Sequence, residues 1–574
     1  MQQLKRRLAD AIISALDGAG AAHGQTTDSI IDMLEYPPDP ELGELSFPCF
    51  KLSRALRKAP PAIAAELAEK LQCGDIAQPH QAGGYLNFKV SPEYFTRGVI
   101  PKIIAEGDGY GRTNEGEGKT IVLDYSSPNI AKPFHLGHLG TTVIGHSLRL
   151  LHEFRGFKCI SVNHLGDWGT SLGKQIAAYK LWGSREQVES GGVDELVSLY
   201  VRFHEEAERD ESLWERARRE FALLEGGDPE NTELWKWFID LSIEEYKKTY
   251  AQLGIEFDYY LGESFYSDKM DEQVNLMREK GLLKIDDGAS IVDLSEHNMP
   301  PCLILKRDGT TLYPTRDIAA AVYRYNTFNF DRCIYVTSAG QSLHFAQWFK
   351  VVELMGYPWA DRLVHVPYGT MSVGGAKLGT RSGNTILLKE LFKLSIDKVK
   401  EIMAEKNAEL EDSDKIADDV GVGAIVFGYL LNSRIKDISF DLQEALNFDG
   451  NTGPYAQYTY ARTCSVLAKA AEAGYGAEAF TGEFAPNEAE FELAKTLSLF
   501  GEKVDDALAS YEPSIVVRYI LDICASFNRF YNSCRILGAE NDDMVRFRLG
   551  LVRATNITLK NALHLVCMRT PTKI

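Results

Sequence analysis

The 574-residue chain has no C-x-x-C pair: its nine cysteines, at 49, 73, 159, 302, 333, 464, 524, 534 and 567, are scattered. That spacing supplies neither a zinc knuckle nor a disulfide framework, and a reducing, cytoplasmic compartment is expected. Nor is there an apolar run near the roughly 20 residues of a membrane span. The longest one near a helix, GVGAIVFGYLL at 421–431, falls far short. The N-terminal MQQLKRRLADAIISALDGAG has basic residues but only a short apolar core. Leu4, Leu8, Ile12 and Leu16 recur every four residues, which reads as an amphipathic packing helix and not a signal peptide. Internal repeats and low-complexity tracts are missing too. Cations are in the minority, 62 Lys and Arg against 81 Asp and Glu, for a net charge of −19. That total argues against a nucleic-acid partner but does not exclude one, because clustered cations govern affinity for phosphate backbones. The acid is itself concentrated, in ESGGVDE, EEAERDES and EGGDPENTE between 189 and 233.

A chain of this length calls for two to four domains. Residues 1–105 read as an α+β unit with one clear β segment, GGYLNFKV at 83–90, and EGDGYGRTNEGEG at 106–118 reads as a linker or long exposed turn. From 119 to 390 the pattern is strand–loop–helix–strand. TIVLDY (120–125) leads to a helix over 139–154 and then to KCISVNHL (158–165); PCLILKR (301–307), RCIYVTS (332–338) and LVHVPYG (363–369) follow. Strands alternating with helices imply an α/β fold with a parallel, doubly wound sheet. A helical, acid-rich segment at about 176–282 interrupts it as an insertion. From 391 to 574 the periodicity is helical, with aromatic stretches NFDGNTGPYAQYTYAR (447–462) and SFNRFYNSCR (526–535).

In such a fold ligands sit at the carboxyl ends of the strands, beside helix N-termini. SSPNIAKPFHLGHLGTT, residues 126–142, leaves the first strand there and carries His135, Gly137 and His138 as H-x-G-H at a helix start. Two imidazoles at the positive end of a helix suit an anionic ligand, above all a triphosphate. Gly137 lets a flat base approach the backbone, and Lys132 adds a cation. The plainer alternatives are two surface histidines or an i,i+3 metal pair, although no third ligand follows at metal spacing. A second loop, GTMSVGGAKLGTRSGN at 369–384, has five glycines with Lys377 and Arg381. It suits a lid over a pyrophosphate, or else is a hairpin with incidental charges.

HLGH with a downstream K-L-G-T-R resembles the two signature motifs of class I aminoacyl-tRNA synthetases. The wider strings SSPNIAKPFHLGHL, NHLGDWGTSLGK, LYPTRDIAAA, SAGQSLHFAQ and FDGNTGPYAQYTYAR resemble the arginyl-tRNA synthetases. The resemblance implies a Rossmann-like catalytic domain at 119–390, a tRNA-contacting N-terminal domain at 1–105, and a helical stem and anticodon-binding bundle at 391–574. It further implies L-arginine, ATP with Mg2+ and tRNA(Arg) as ligands, and a monomer without a membrane association. By the same resemblance His135, His138, Lys132, Lys377 and Arg381 are catalytic, and His135, Gly137, His138, Lys377, Gly379 and Thr380 hold ATP. Asp124, Asn129, His135, Glu263, Tyr313, Asp317 and Gln341 hold arginine, and Lys51, Arg54 and Tyr455 touch tRNA. Three carboxylates among the seven arginine positions match a planar, permanently charged guanidinium. Each position also has a plainer reading: Asp317 as a helix cap, Glu263 as a surface strand residue, Tyr313 as structural.

Two rivals remain open on the sequence: a ligase of the same class charging another amino acid, and a non-catalytic RNA-binding paralogue. The second is kept alive by two departures. Gly140, Thr141 and Thr142 follow H-x-G-H-L where the family usually has arginine, serine and threonine, and Leu378 and Gly379 replace the methionine and serine of K-M-S-T-R. Thr380 stands where the class has a second lysine, and Lys132 is the residue expected to compensate. Lys132→Ala is therefore expected to slow adenylate formation far more than it weakens arginine binding, as read by pyrophosphate exchange with tRNA present. An unchanged rate rules that role out.

Overall fold

The computed structural model describes residues 1–18, 23–373, 376–377, 387–406, 412–476 and 485–574. Its first helix, Gln2–Gly18, buries Leu4, Leu8, Ile12 and Leu16, the stripe expected from their spacing. They share a core with Phe47 and Phe88 of a small antiparallel sheet, β1 (Leu45–Pro48), β2 (Ala77–Ala82) and β3 (Tyr85–Val90), in the order β1-β3-β2. The 106–118 stretch is mostly exposed but is not a free linker. Tyr110 is buried, stacks on Phe500 at 5.9 Å and donates its hydroxyl to the Leu497 carbonyl at 3.0 Å, so an aromatic anchor fastens it to the C-terminal helices.

Five strands form the central parallel sheet: β4 (Thr120–Asp124), β5 (Lys158–Asn163), β6 (Tyr259–Tyr260), β10 (Arg332–Ser338) and β11 (Leu363–Tyr368), in the order β11-β10-β4-β5-β6. Four of β4's five residues are buried, because helices cover both faces, so it reads as a continuous apolar run. The chain moves from β4 to one side through β5 and to the other through β10. β4 is thus the topological switch point, with its crevice above Asp124.

Cys302–Leu305, expected in this sheet, lies elsewhere. As β9 it joins β7 (Leu283–Asp286) and β8 (Ala289–Val292) in a separate antiparallel sheet. The two-residue Asp287-Gly288 turn, both residues at positive φ, closes the β7–β8 hairpin that recruits it. β12 (Met371–Val373) pairs with β13 (Ala376–Lys377) and with β14 (Ile438–Phe440), a short strand inside the otherwise helical C-terminal part.

The Gly137–Phe154 helix links β4 to β5 and packs with almost no clearance. A Cβ on Gly145 would meet the Tyr125 ring at 2.2 Å, and one on Gly140 would meet Tyr429 Oη at 2.1 Å. Ser147 donates to the Leu565 carbonyl at 2.7 Å, tying this helix to the Asp542–Leu565 helix. Buried Arg155 pairs with Asp505 at 2.6 Å and with the carbonyls of Gly111 and Gly501. Between β5 and β6 stand four helices: Thr170–Trp182, Arg185–Ala207, Ser212–Glu225 and Pro229–Leu253. Among the described residues no helix is long and apolar enough to cross a membrane, and all nine cysteines are free thiols.

The approach at Gly140 makes one clear expectation. Gly140→Ala drives a methyl into a buried tyrosine and is expected to cost about 1–3 kcal/mol by overpacking. The check is the thermal unfolding midpoint; an unchanged midpoint would show that the Ser413–Leu430 helix yields freely.

Candidate functional site

The loop leaving β4 is held in a shape it would not choose alone. Ser126, Ser127 and Ala131 sit at φ of 72°, 47° and 53°, left-handed values that L-residues with a Cβ seldom adopt. Hydrogen bonds from two helices hold it there. Thr141 Oγ1 accepts from Ser126 N at 2.9 Å and donates to the Val336 carbonyl at 2.6 Å. The Ser126 hydroxyl lies 2.7 Å from the Tyr250 hydroxyl and 2.8 Å from that of Thr142. From the Pro229–Leu253 helix, the Tyr246 hydroxyl reaches the carbonyls of Asn129 and Lys132 at 2.6 and 2.9 Å, and Ser242 accepts from Ala131 N at 2.9 Å. Thr141, a departure from the family pattern, thus seats this loop together with Thr142, which keeps the pattern. The space beside Gly140 is filled by Tyr429 and Tyr368.

Above the carboxyl ends of the strands lies a cavity of about 620 Å³. Its lining includes Asp124 from the end of β4, Asn129 and Lys132 from the loop, and Glu263 beyond β6. Tyr313 and Asp317 come from the Tyr313–Phe328 helix, and Gln341 from beyond β10. Six of the seven arginine positions therefore share one wall system; His135 is the one outside this lining. Asp317 is not a cap, since the helix starts at Tyr313 with Leu312 as its N-cap, four and five residues earlier. Glu263 begins a 3-10 turn and is largely enclosed. Tyr313 is 66% exposed at the mouth.

Each carboxylate of the cavity has a cation of the protein's own. Asp124 stands 2.7 Å from the fully buried Arg324, which lies under the Tyr335 ring, and accepts from the Ser127 hydroxyl at 3.0 Å. Glu263 pairs with Arg316 at 2.5 Å and Asp317 with His344 Nε2 at 2.6 Å. Arg324 and Arg316 are outside the cavity lining, whereas His344 shares its wall with Asp317. Asp317 is therefore the carboxylate whose partner itself faces the cavity. Burial pushes Glu263 up to about 7, with Arg316 opposing and Asp317 and Asp167 adding to the rise. Asp167 in turn accepts from the backbone and hydroxyl of Ser264 at 2.8 and 2.6 Å, fixing the turn that presents Glu263.

His135 and His138 face each other with ring centroids 3.9 Å apart. The Nδ1 of His135 accepts from Gly137 N at 3.0 Å, and that of His138 from His135 N at 3.2 Å. Both neutral rings then carry their proton on Nε2. Burial, with His135 beside it, holds His138 down to about 3, and burial with Lys132 lowers His135. At neutral pH the pair is a set of two neutral N–H donors and not the cationic pair its position at a helix start suggests. Among these groups the cation is Lys132, whose own pKa burial lowers.

Lys377 is described only as backbone, paired with Ser372 in the β12–β13 hairpin; Gly379, Thr380 and Arg381 lie outside the described residues. The two flanks of that segment are placed. It departs from β11 through β12, and it returns at Leu387, which bridges His135, with Leu388 N donating to the Phe134 carbonyl at 3.1 Å. Away from the cavity, Lys51 and Arg54 are exposed beside Phe50, itself 50% exposed and edge-on to Tyr85 at 5.2 Å. Tyr455 is partly occupied, its hydroxyl accepting from Asn528 at 2.9 Å. Its neighbours are more open: Arg462 is sandwiched between Tyr458 and Tyr531 at 4.9 and 5.2 Å.

Sequence reasoning missed His344, His164, Trp168, Thr170, Ser171 and Thr337, all in the cavity lining. Five of the six stand inside strings quoted for other reasons, NHLGDWGTSLGK and SAGQSLHFAQ, and Thr337 stands directly before the second. Nothing local in those strings marks a residue as cavity-lining, since that depends on which strand end it follows.

The family described as tRNA synthetases class I (R), catalytic domain, matches residues 99–442. A DALR anticodon binding domain matches 456–574, and an arginyl tRNA synthetase N terminal domain matches 2–90. An arginine–tRNA ligase of Alkaliphilus metalliredigens is 46% identical over 578 residues, covering 100% of both chains. That of Clostridium perfringens is 48% identical over 539 residues, 94% of this chain and 95% of its own. The solved arginyl-tRNA synthetase of Thermus thermophilus, 24% identical, has the same fold: its TM-score is 0.81, with 99% of this chain and 100% of that one covered. Identity of this order along the whole length, on a sheet whose switch point carries the expected loop and pocket, has one meaning: the chain belongs to the arginyl-tRNA synthetase family of class I aminoacyl-tRNA synthetases.

Proposed function

We propose that this chain charges tRNA(Arg) with L-arginine in two steps at the β4 crevice. The arginine carboxylate attacks the α-phosphorus of ATP, giving arginyl-adenylate and pyrophosphate. A terminal ribose hydroxyl of the tRNA then attacks the arginyl carbonyl, forming the ester and releasing AMP. The observation that carries this reading is the gathering of Asp124, Asn129, Glu263, Tyr313, Asp317 and Gln341 around one cavity, with Lys132 on its wall. Three carboxylates argue against an apolar or anionic amino acid. The seating of Thr141 and Thr142 in the hydrogen-bonded loop argues against reading the altered motif as decay.

In this reading Asp317 takes the guanidinium, with Glu263 beside it and Tyr313 closing the mouth. Asn129 and Gln341 serve the α-amino and carboxylate end. The Nε2–H groups of His135 and His138 donate to the phosphates, stabilising the charge that grows as pyrophosphate leaves without drawing on a full positive charge. Gly137, exposed at the helix start, gives the adenine side an open approach. Lys377, Gly379, Thr380 and Arg381 serve the leaving pyrophosphate together with Lys132. Mg2+ travels with ATP as the counter-ion of the triphosphate. Among the described residues no cluster of three or more His, Cys, Asp and Glu offers it a cage. Lys51 and Arg54 with Phe50 form one tRNA contact, and Arg462 between its tyrosines, beside Tyr455, forms another, where unpaired bases stack. The reading takes the chain to act as a monomer in the cytoplasm, which its free thiols suit.

The test is arginine-dependent charging of tRNA(Arg), with pyrophosphate exchange measured in the presence of tRNA; charging with another amino acid, or with none, overturns the reading. Asp317→Asn is expected to raise the KM for arginine roughly 30-fold or more, the about 2–5 kcal/mol of a truncated buried charge pair. A second expectation concerns pH. Only the ionised Glu263 accepts from a cation, and its carboxyl is pushed up to about 7. The KM for arginine should be level at about pH 8 and climb about tenfold per unit well below 7. Glu263→Gln should flatten that climb; a slope unchanged by the substitution would remove Glu263 from the arginine site.

A further inference from the structure

The three carboxylates of the cavity are not held alike. Asp124 has both oxygens engaged, Oδ1 by the Ser127 hydroxyl at 3.0 Å and Oδ2 by Arg324 at 2.7 Å. Glu263 gives only Oε2 to Arg316, and Asp317 gives only Oδ2 to His344. Among the described residues Glu263 Oε1 and Asp317 Oδ1 have no hydrogen-bond partner. Burial raises the pKa of Glu263 and the charge of Asp317 adds to the rise, so the two acids lie in each other's field. The cavity therefore offers one unengaged oxygen from each of two acids on separate elements.

His344 is fixed from several sides. A carboxylate only accepts, so the 2.6 Å contact to Asp317 Oδ2 puts a proton on His344 Nε2. The ring lies edge-on to Phe345 at 5.5 Å, and Phe345 in turn stacks on His365 at 4.4 Å. The Ser342–Leu354 helix that carries His344 is fastened on both sides of it. Ser342 donates its hydroxyl to the Ala339 carbonyl at 2.8 Å. Gln347 donates its amide to the carbonyls of Pro300 and Pro301 at 2.9 and 3.1 Å, and Trp348 beside it is fully buried. Asp317 rides on the helix before β10 and His344 on the helix after it, so the central sheet sets their spacing.

An aspartate carboxylate turns about its last bond with little preference. Tying Oδ2 to His344 stops that rotation and fixes the plane in which Oδ1 accepts. The plane matters to one kind of cation more than to another. A guanidinium is flat and sends its N–H groups in fixed directions, so it spans Asp317 Oδ1 and Glu263 Oε1 only while both are aimed. An ammonium is a compact charge with rotatable donors and meets a carboxylate from any side. We infer that His344 is the positioning residue that turns Asp317 toward a guanidinium and thereby sets the preference for arginine over lysine. It acts through Asp317. The inference rests on the charging reaction proposed above and gives it a source of side-chain discrimination.

The test is pyrophosphate exchange with tRNA present, run on the full-length chain with lysine as a competitor of arginine. His344→Ala should raise the KM for arginine about tenfold and leave kcat within about twofold. The inhibition constant of lysine should move less than about twofold, so the preference for arginine falls about tenfold. His344→Leu, which keeps bulk without a donor, should match it. His344→Gln, whose amide can donate to the same oxygen, should restore most of the loss. In an Asp317→Asn background His344→Ala should add little to the KM, whereas a merely structural role would add its full loss there too. Equal losses for arginine and lysine would overturn the inference, as would no loss at all. So would a failure of His344→Gln to restore arginine, or the same loss with Asp317 already replaced. A wild type inactive with arginine would instead refute the reaction on which the inference rests.

Discussion

Everything at the crevice depends on a strained loop being held. Three residues with left-handed φ between Ser126 and Ala131 cost on the order of 1–3 kcal/mol each if left to themselves. The hydroxyls of Thr141, Tyr246 and Tyr250 and that of Ser242 stabilise the shape against that cost. The strain is useful. It turns the chain so that Asn129 and Lys132 face the cavity while the following turn stacks the two imidazoles at the helix start. The Pro229–Leu253 helix, far along the chain, therefore holds active-site geometry without placing a side chain in the cavity lining.

Charge economy is the second constraint. The cavity gathers three carboxylates, and a buried carboxylate without a partner is expensive. Here Arg324, Arg316 and His344 stand behind or beside Asp124, Glu263 and Asp317. Two of those partners are guanidiniums behind the wall and the third is an imidazole within it. The same economy governs the histidine pair. His135 and His138 are too sheltered to be charged, so they act as oriented donors and leave Lys132 as the nearby cation. The acidic total of the chain is thus no guide to its ligands, because local pairing decides which charges remain available.

Much of this was legible from residues alone. Leu4, Leu8, Ile12 and Leu16 announced their helix, TIVLDY its buried strand, and HLGH the loop at the switch point. Asp317 and Glu263 were singled out as a pair although 54 positions separate them. Other features left no local trace. β6 is two residues long, too short for any period, and Cys302–Leu305 has the composition of a core strand but was drawn into a hairpin sheet by the Asp287-Gly288 turn. The 106–118 stretch looks like a linker because its glycines outnumber its anchors, yet Tyr110, with Arg155 on the Gly111 carbonyl, seats it.

The sequence by itself determined which chemistry was on offer: imidazoles, a lysine and carboxylates at strand ends, in an order specific enough to name a family. It did so because those residue types and spacings are imposed by the reaction. The tertiary structure alone decided their states. Whether an imidazole is charged and which cation stands beside each carboxylate depend on neighbours distant in the chain and on how much water they exclude. Pairings such as Asp124 with Arg324 and Asp317 with His344 exist only once the sheet has brought β4, β10 and their loops together.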